Sequence, residues 1–205
     1  MRPFLIILPL LIALGACDRD TPVFNPGVHE LAKVQSMDLS ARVAHEPRCA
    51  LRQEGCPRVH EMTADACLKL AQQTFDAGQS AQAASYAACA ERRYAGVAGD
   101  TIALRRLEAI RLQRETARGE AANSQNQRLA EAAATVPGPV AGYYRASAVD
   151  WRQGIGPDRP DCETLRQAAV EALAASQAAP GPVDQRRAAR ILAARLDRHA
   201  QECPR

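Results

Sequence analysis

From residue 28 onward, apolar positions recur at helical spacing. Residues 63–77 place Ala64, Cys67, Leu68, Ala71 and Phe75 on one helical face. Gly78 breaks that pattern, and Ser80 can cap a second helix whose apolar face carries Ala83, Ala84, Ala87 and Ala90. So short a break predicts an antiparallel hairpin. Near the C-terminus Asp161 can cap a helix over 162–177, Pro180-Gly181-Pro182 stops it, and a last helix follows over 183–201 with Ala188, Ile191, Leu192 and Leu196 on its apolar side. Further helices are predicted at 28–45, 101–117, 120–135 and 139–153, separated by Gly96 to Asp100 and by Pro137-Gly138-Pro139. Neighbours pair as 63–91, 101–135 and 139–177, closed by the last helix. Two helices in every repeat of about 38 residues point to an all-α fold of antiparallel hairpins, either an α-solenoid or an irregular helical bundle.

The start of the chain follows a different pattern. Met1-Arg2-Pro3 is a short positive segment, and Phe4 to Ala13 is an apolar run too short to span a bilayer permanently. Leu14-Gly15-Ala16-Cys17 follows, a tetrad that resembles the lipobox of bacterial lipoproteins. The resemblance covers residues 1–17 and implies a signal peptide over 1–16, cleaved before a Cys17 that carries lipid on its sulfur and on its new amino terminus. Several acyl chains there would make a stable anchor. It places the chain in a bacterial cell envelope facing the periplasm; Asp18 after the cysteine does not decide between inner and outer membrane. Residues 17–27, polar and holding two prolines, read as a lipidated tether before a helical domain over 28–205.

Two hairpins resemble tetratricopeptide repeats. Leu70, Ala71, Gly78, Ala83 and Ala90 fit that family's leucine, small and turn positions, although Cys67, Thr74 and Ala87 depart from it. Tyr144, Ala148 and Trp151, then Leu165, Ala168 and Ala175, follow the same spacing, whereas the hairpin over 101–135 matches poorly. The resemblance implies a concave protein-binding face, with Gln72, Phe75, Arg145 and Arg152 on it.

Composition supports helices and narrows the chemistry. Alanine is the commonest residue and only 4% of residues are aromatic. Charged residues make up 24%, the ordinary share for a folded domain. Of 26 basic residues only Lys33 and Lys69 are lysines, a bias that reads as codon composition. A net charge of +3 is too small to imply nucleic acid.

With Cys17 assigned to lipid, Cys49, Cys56, Cys67, Cys89, Cys162 and Cys203 remain. Six cysteines in an oxidising compartment favour disulfides, and they allow fifteen connectivities. Cys67 lies as far before Gly78 as Cys89 lies after it, so folding the hairpin brings them level. Cys162 and Cys203 sit near the open end of the last hairpin and pair by the same logic, which leaves Cys49–Cys56 as a local clasp.

No nucleophile elbow, zinc-protease motif, phosphate-binding loop, dinucleotide fingerprint or Cys-x-x-Cys occurs in the sequence. Glu108, Glu115 and Glu120 lie among arginines at helical spacing and read as solvated ion-pair faces. The expected function is therefore non-catalytic: an anchored scaffold for an envelope protein partner, with no small-molecule substrate and no cofactor. The alternative uses the symmetric His45-x3-Cys49-x6-Cys56-x3-His60 constellation, whose two thiolates and two imidazoles would suit a tetrahedral metal. Arg186, Arg187, Arg190, Arg195 and Arg198 surround the polar side of the last helix and would face water, anionic headgroups or an acidic partner. Tyr144 is expected in the core.

Overall fold

Asn25, Asp38 and Asp161 each begin a helix by the same device, a side-chain oxygen accepting the free backbone N–H of the first turn. The computed structural model describes residues 25–154, 159–178 and 183–203. They form α1 (Pro26–Ser36), α2 (Leu39–Ala44), α3 (Cys56–Asp76), α4 (Ser80–Tyr94), α5 (Asp100–Thr116), α6 (Glu120–Ala134), α7 (Pro139–Gly154), α8 (Cys162–Gln177) and α9 (Val183–Gln201). The signal peptide over 1–16, Cys17, most of the tether and the Pro180-Gly181-Pro182 stop lie outside the described residues. From α5 to α9 the predicted boundaries hold to within a residue, and α4 runs three residues past the predicted end at 91.

The first third departs from expectation twice. The helix predicted over 28–45 is two helices, because Met37 is extended and the Asp38 side chain caps α2 at the Ala41 N–H. Helix α3 starts at Cys56, seven residues earlier than the pattern suggested. Gly55 supplies the left-handed turn before it, and Pro57 fits the first turn, where its missing N–H costs nothing. At that turn a Cβ on Gly27 would meet the Glu54 carbonyl oxygen at 2.1 Å, so α1 closes on the start of α3 only through glycine.

Each helix from α3 onward packs on the next, and α1 and α2 lean on α3. Beyond these neighbours, α3, α5, α7 and α9 also touch one another in succession. The array therefore curves towards its odd-numbered helices. Its core is four small clusters, centred on Val34 and Val59, on Leu68 and Tyr94, on Ile110 and Leu129, and on Leu165 and Leu196. Tyr144 lies in the core as expected.

Disulfides staple three of these clusters. Cys49–Cys56, Cys67–Cys89 and Cys162–Cys203 are joined with Cα separations of 5.8, 5.9 and 6.1 Å, the pairing that the hairpin argument predicts.

Between clusters the contacts are polar, and several are made by arginines whose guanidinium collects carbonyls at helix C-termini. Arg42 donates to Val34 and Gln35 at the end of α1, and Arg145 to Ala133 and Val136 at the end of α6. Arg93, only 4% exposed, donates to the carbonyls of Arg42, Val43 and Thr63. A lysine has too few donors in too flexible a frame for this work, so codon composition does not account for these arginines.

Candidate functional site

Three of the four residues of the metal constellation are otherwise engaged, and the structure does not assemble it. Cys49 and Cys56 are bonded to each other, and the His45 ring Nε2 lies 2.8 Å from Glu30 Oε1. His60 is half-buried on α3, with its carbonyl taken by the Thr63 hydroxyl. Among the described residues no group of three or more His, Cys, Asp or Glu is arranged to hold a metal ion. Glu30 also accepts the backbone N–H groups of Arg48 and Cys49 at 2.9 and 3.0 Å. Burial works against its ionisation, yet these bonds and His45 hold its carboxyl below the ordinary value.

The residues assigned to a concave face are distributed over two helices. Gln72 is exposed on α3, and Phe75, three positions on, packs its ring against the Leu68 and Tyr94 cluster. Arg145 and Arg152 stand on α7, and α5 lies between the two helices. Arg145 is committed to the fold, since Nε donates to Glu171 at 2.7 Å and Nη1 to the end of α6. Arg152 is exposed in the last turn of α7.

Of the acids read as solvated faces, Glu108 is partly enclosed instead. Glu108 holds Arg111 at 2.7 Å and accepts the Tyr144 hydroxyl at 3.3 Å, joining α5 to α7. Glu115 holds the buried Arg114 at 2.6 Å. Glu120 is exposed in the first turn of α6, as expected.

What the fold does bring together is a cleft of roughly 410 Å³ on the odd-numbered side, between α7 and α9. Tyr143, Ser147, Asp150 and Trp151 line it from α7, and Ala188, Ile191, Leu192 and Arg195 line it from α9. Both sets follow helical spacing, so each helix presents one face. Arg114 and Glu115 of α5 complete the lining. The Arg114 guanidinium lies 5.1 Å from the Trp151 ring centre and donates to the Ser147 hydroxyl and carbonyl at 2.8 and 3.0 Å. Its Nη1 also reaches Asn126, which ties α6 into the same network. Trp151 Nε1 donates to Asn123 at 3.4 Å, and Arg195 donates to Asp150 across the cleft.

Burial pushes the Tyr143 hydroxyl above its ordinary pKa, with Arg111 opposing, so that phenol is a neutral donor across the physiological range. Burial likewise raises Asp150 despite Arg195. Ile191, 60% exposed, forms the rim. The cleft thus offers aromatic and aliphatic walls, two hydroxyls and two ion pairs, Arg195–Asp150 and Arg114–Glu115.

Sequence reasoning names Tyr143 as a groove aromatic in a repeat array and a core aromatic in a bundle, but does not bring α7 and α9 together as a site. Its signal was the combination of the single tryptophan with Tyr143 on one face of α7, opposite an isoleucine among arginines on α9. No helix among the described residues is long and apolar enough to cross a membrane. No family model matches the chain, and neither a curated protein nor a solved structure matches it.

Proposed function

We propose that the chain is an exported lipoprotein, anchored through Cys17 in a bacterial envelope and facing the periplasm, that acts without catalysis as a scaffold for another protein. The observation that carries this reading is the α7–α9 cleft, in which Tyr143, Trp151, Ile191 and Leu192 stand together on the inward-curving side of a helical array. Rigid aromatic walls around a few fixed polar groups are what a protein anchor residue fits best. The likeness of two hairpins to tetratricopeptide repeats supports the same side of the array. Of the residues that likeness implied, Arg152 stands on α7 but on the side away from the cleft, while Gln72 and Phe75 lie two hairpins away on the same row of helices. Three disulfides suit an oxidising compartment.

Two measurements test the reading. Labelling of the cell-made protein with a palmitate analogue is expected, and is expected to disappear in Cys17→Ser; labelling that persists would reject the anchor. A photo-crosslinker at position 191 is expected to trap a partner that one at Gln127, on the exposed side of α6, does not, and Trp151→Ala is expected to abolish the adduct. Equal trapping at both positions would reject the cleft.

A further inference from the structure

Three arginines of α9 take no part in holding the fold. Arg187, Arg190 and Arg198 are exposed and have no ion pair or hydrogen bond among the described residues, whereas Arg195 is held by Asp150. Together with Ile191 and Ala194, also exposed, they make one stripe at spacings of three and four residues. The opposite side of the helix, with Leu192 and Leu196, is fixed in the core. The stripe is centred about a quarter turn around α9 from the positions lining the cleft. Two acids lie near it: Asp197, hydrogen-bonded by Gln201, and Glu202, 3.6 Å from His199. Asp197, three residues after Ala194 and on the Arg190 side, borders the stripe, and Glu202 lies just beyond the end of α9.

We propose that this stripe docks on an anionic phospholipid surface. Cations around a central apolar side chain are the pattern of a surface that rests at a lipid interface. Arg187, Arg190 and Arg198 do not line the α7–α9 cleft, and their exposure along one side of a helix suits an extended anionic plane. The membrane enters through the lipid-anchor reading above, although the surface itself does not depend on it. Helix α1 packs on α3 at one end of the array, and α9 lies at the other. Residues 17–25 fully extended span about 30 Å at most. An anchor at one end and a cationic stripe at the other would lay the array along the membrane. Each arginine near an anionic surface is worth about a fivefold gain in partitioning, so three give on the order of a hundredfold. That is weak for a free protein and enough for a tethered one.

The test uses the mature chain 18–205 made without lipid, sedimented with vesicles of phosphatidylcholine alone or with roughly one-third phosphatidylglycerol. Binding is expected only to the anionic vesicles, weakening as salt rises. Arg187→Glu/Arg190→Glu/Arg198→Glu is expected to lose binding at least tenfold with an unchanged helical spectrum, Ile191→Ser severalfold, and the control Arg118→Glu not at all. Equal binding to both vesicle types, no binding at low salt, or a triple variant that still binds would overturn the proposal. So would wild-type protein that ignores vesicles while the triple variant releases an acidic partner protein. Trp151→Ala is expected to keep vesicle binding, so failure of the docking surface and failure of the cleft are read separately.

Discussion

The guanidinium of Arg93, carried on α4, donates to the carbonyl of Val43 at 2.9 Å and so holds the end of α2 against the α3–α4 hairpin. The same group reaches the carbonyls of Arg42 and Thr63 and the sulfur of Cys67. Helix α2 has six residues and buries none of them fully, so Arg93 joins the Arg42 bonds to the end of α1 and the Val43 side chain as one of the few contacts that keep it in place. Arg93→Lys is therefore expected to cost about 2 kcal/mol, because an ammonium satisfies fewer of these acceptors and leaves the rest buried. Hydrogen exchange locates the effect: amides of α2 are expected to lose protection while those of α8 and α9 keep theirs.

The three disulfides close loops of unequal length, with sequence separations of 7, 22 and 41. Loop-closure entropy then ranks them, at about 2, about 3.5 and about 4 kcal/mol. Replacing each pair by alanines is expected to lower the unfolding midpoint in that order. Peptide mapping without reductant is expected to recover the pairs 49–56, 67–89 and 162–203, and any other pairing would contradict the fold.

The hairpins and their disulfides were legible because turn residues and apolar periodicity are local signals. Gly78 and Asp161 mark boundaries with no knowledge of the rest of the chain. The α1–α2 break and the start of α3 were not, because they depend on contacts between distant residues. Glu30 meets His45, Arg48 and Cys49 across a loop, and Gly27 meets Glu54. That loop also misled the reading of chemistry, since histidines and cysteines at even spacing suit a metal until an acid from α1 takes one ring. The cleft was hidden for a related reason. Its two walls are far apart in sequence, and helical spacing alone does not say which helices will face each other.

Glu30 makes the N-terminal segment sensitive to acid. Its carboxyl is held below its ordinary pKa in the folded chain, so the stabilisation it gives is present above the unfolded value and is lost as pH falls through the folded one. Between about pH 6 and about pH 3 the wild-type unfolding midpoint is expected to fall more steeply than that of Glu30→Gln. The variant is expected to start lower at neutral pH, because an amide oxygen is a weaker acceptor for the Arg48 and Cys49 amides. Parallel slopes would show that acid sensitivity arises elsewhere, with Glu61 the next group to examine, since its carboxyl is also lowered by Arg58 and Arg105 against the effect of burial.

Asp150 has the opposite sign. Burial raises its pKa in spite of Arg195, so its charged form is less favourable in the fold than in the unfolded chain. Its contribution therefore improves as pH falls through the raised value. The side chain of Arg195 is about half exposed and that of Asp150 is 19% exposed, so water weakens the cation's contribution more than it relieves the anion's burial. Removing the two charges is then expected to have unequal effects. Asp150→Asn is expected to match or exceed the wild type in urea, because an amide can still accept from Arg195 without a buried charge. Arg195→Met is expected to lose about 1–3 kcal/mol, because it leaves the carboxylate unpaired beside Trp151. That loss is expected to shrink towards pH 4, as the carboxyl takes up a proton. Emission from the single tryptophan supplies an independent readout, since Trp151 lines the cleft that this pair bridges. A red shift in Arg195→Met without one in Asp150→Asn would assign the closing of the α7–α9 cleft to the guanidinium and its hydrogen bond, and equal shifts would assign it to the paired charges.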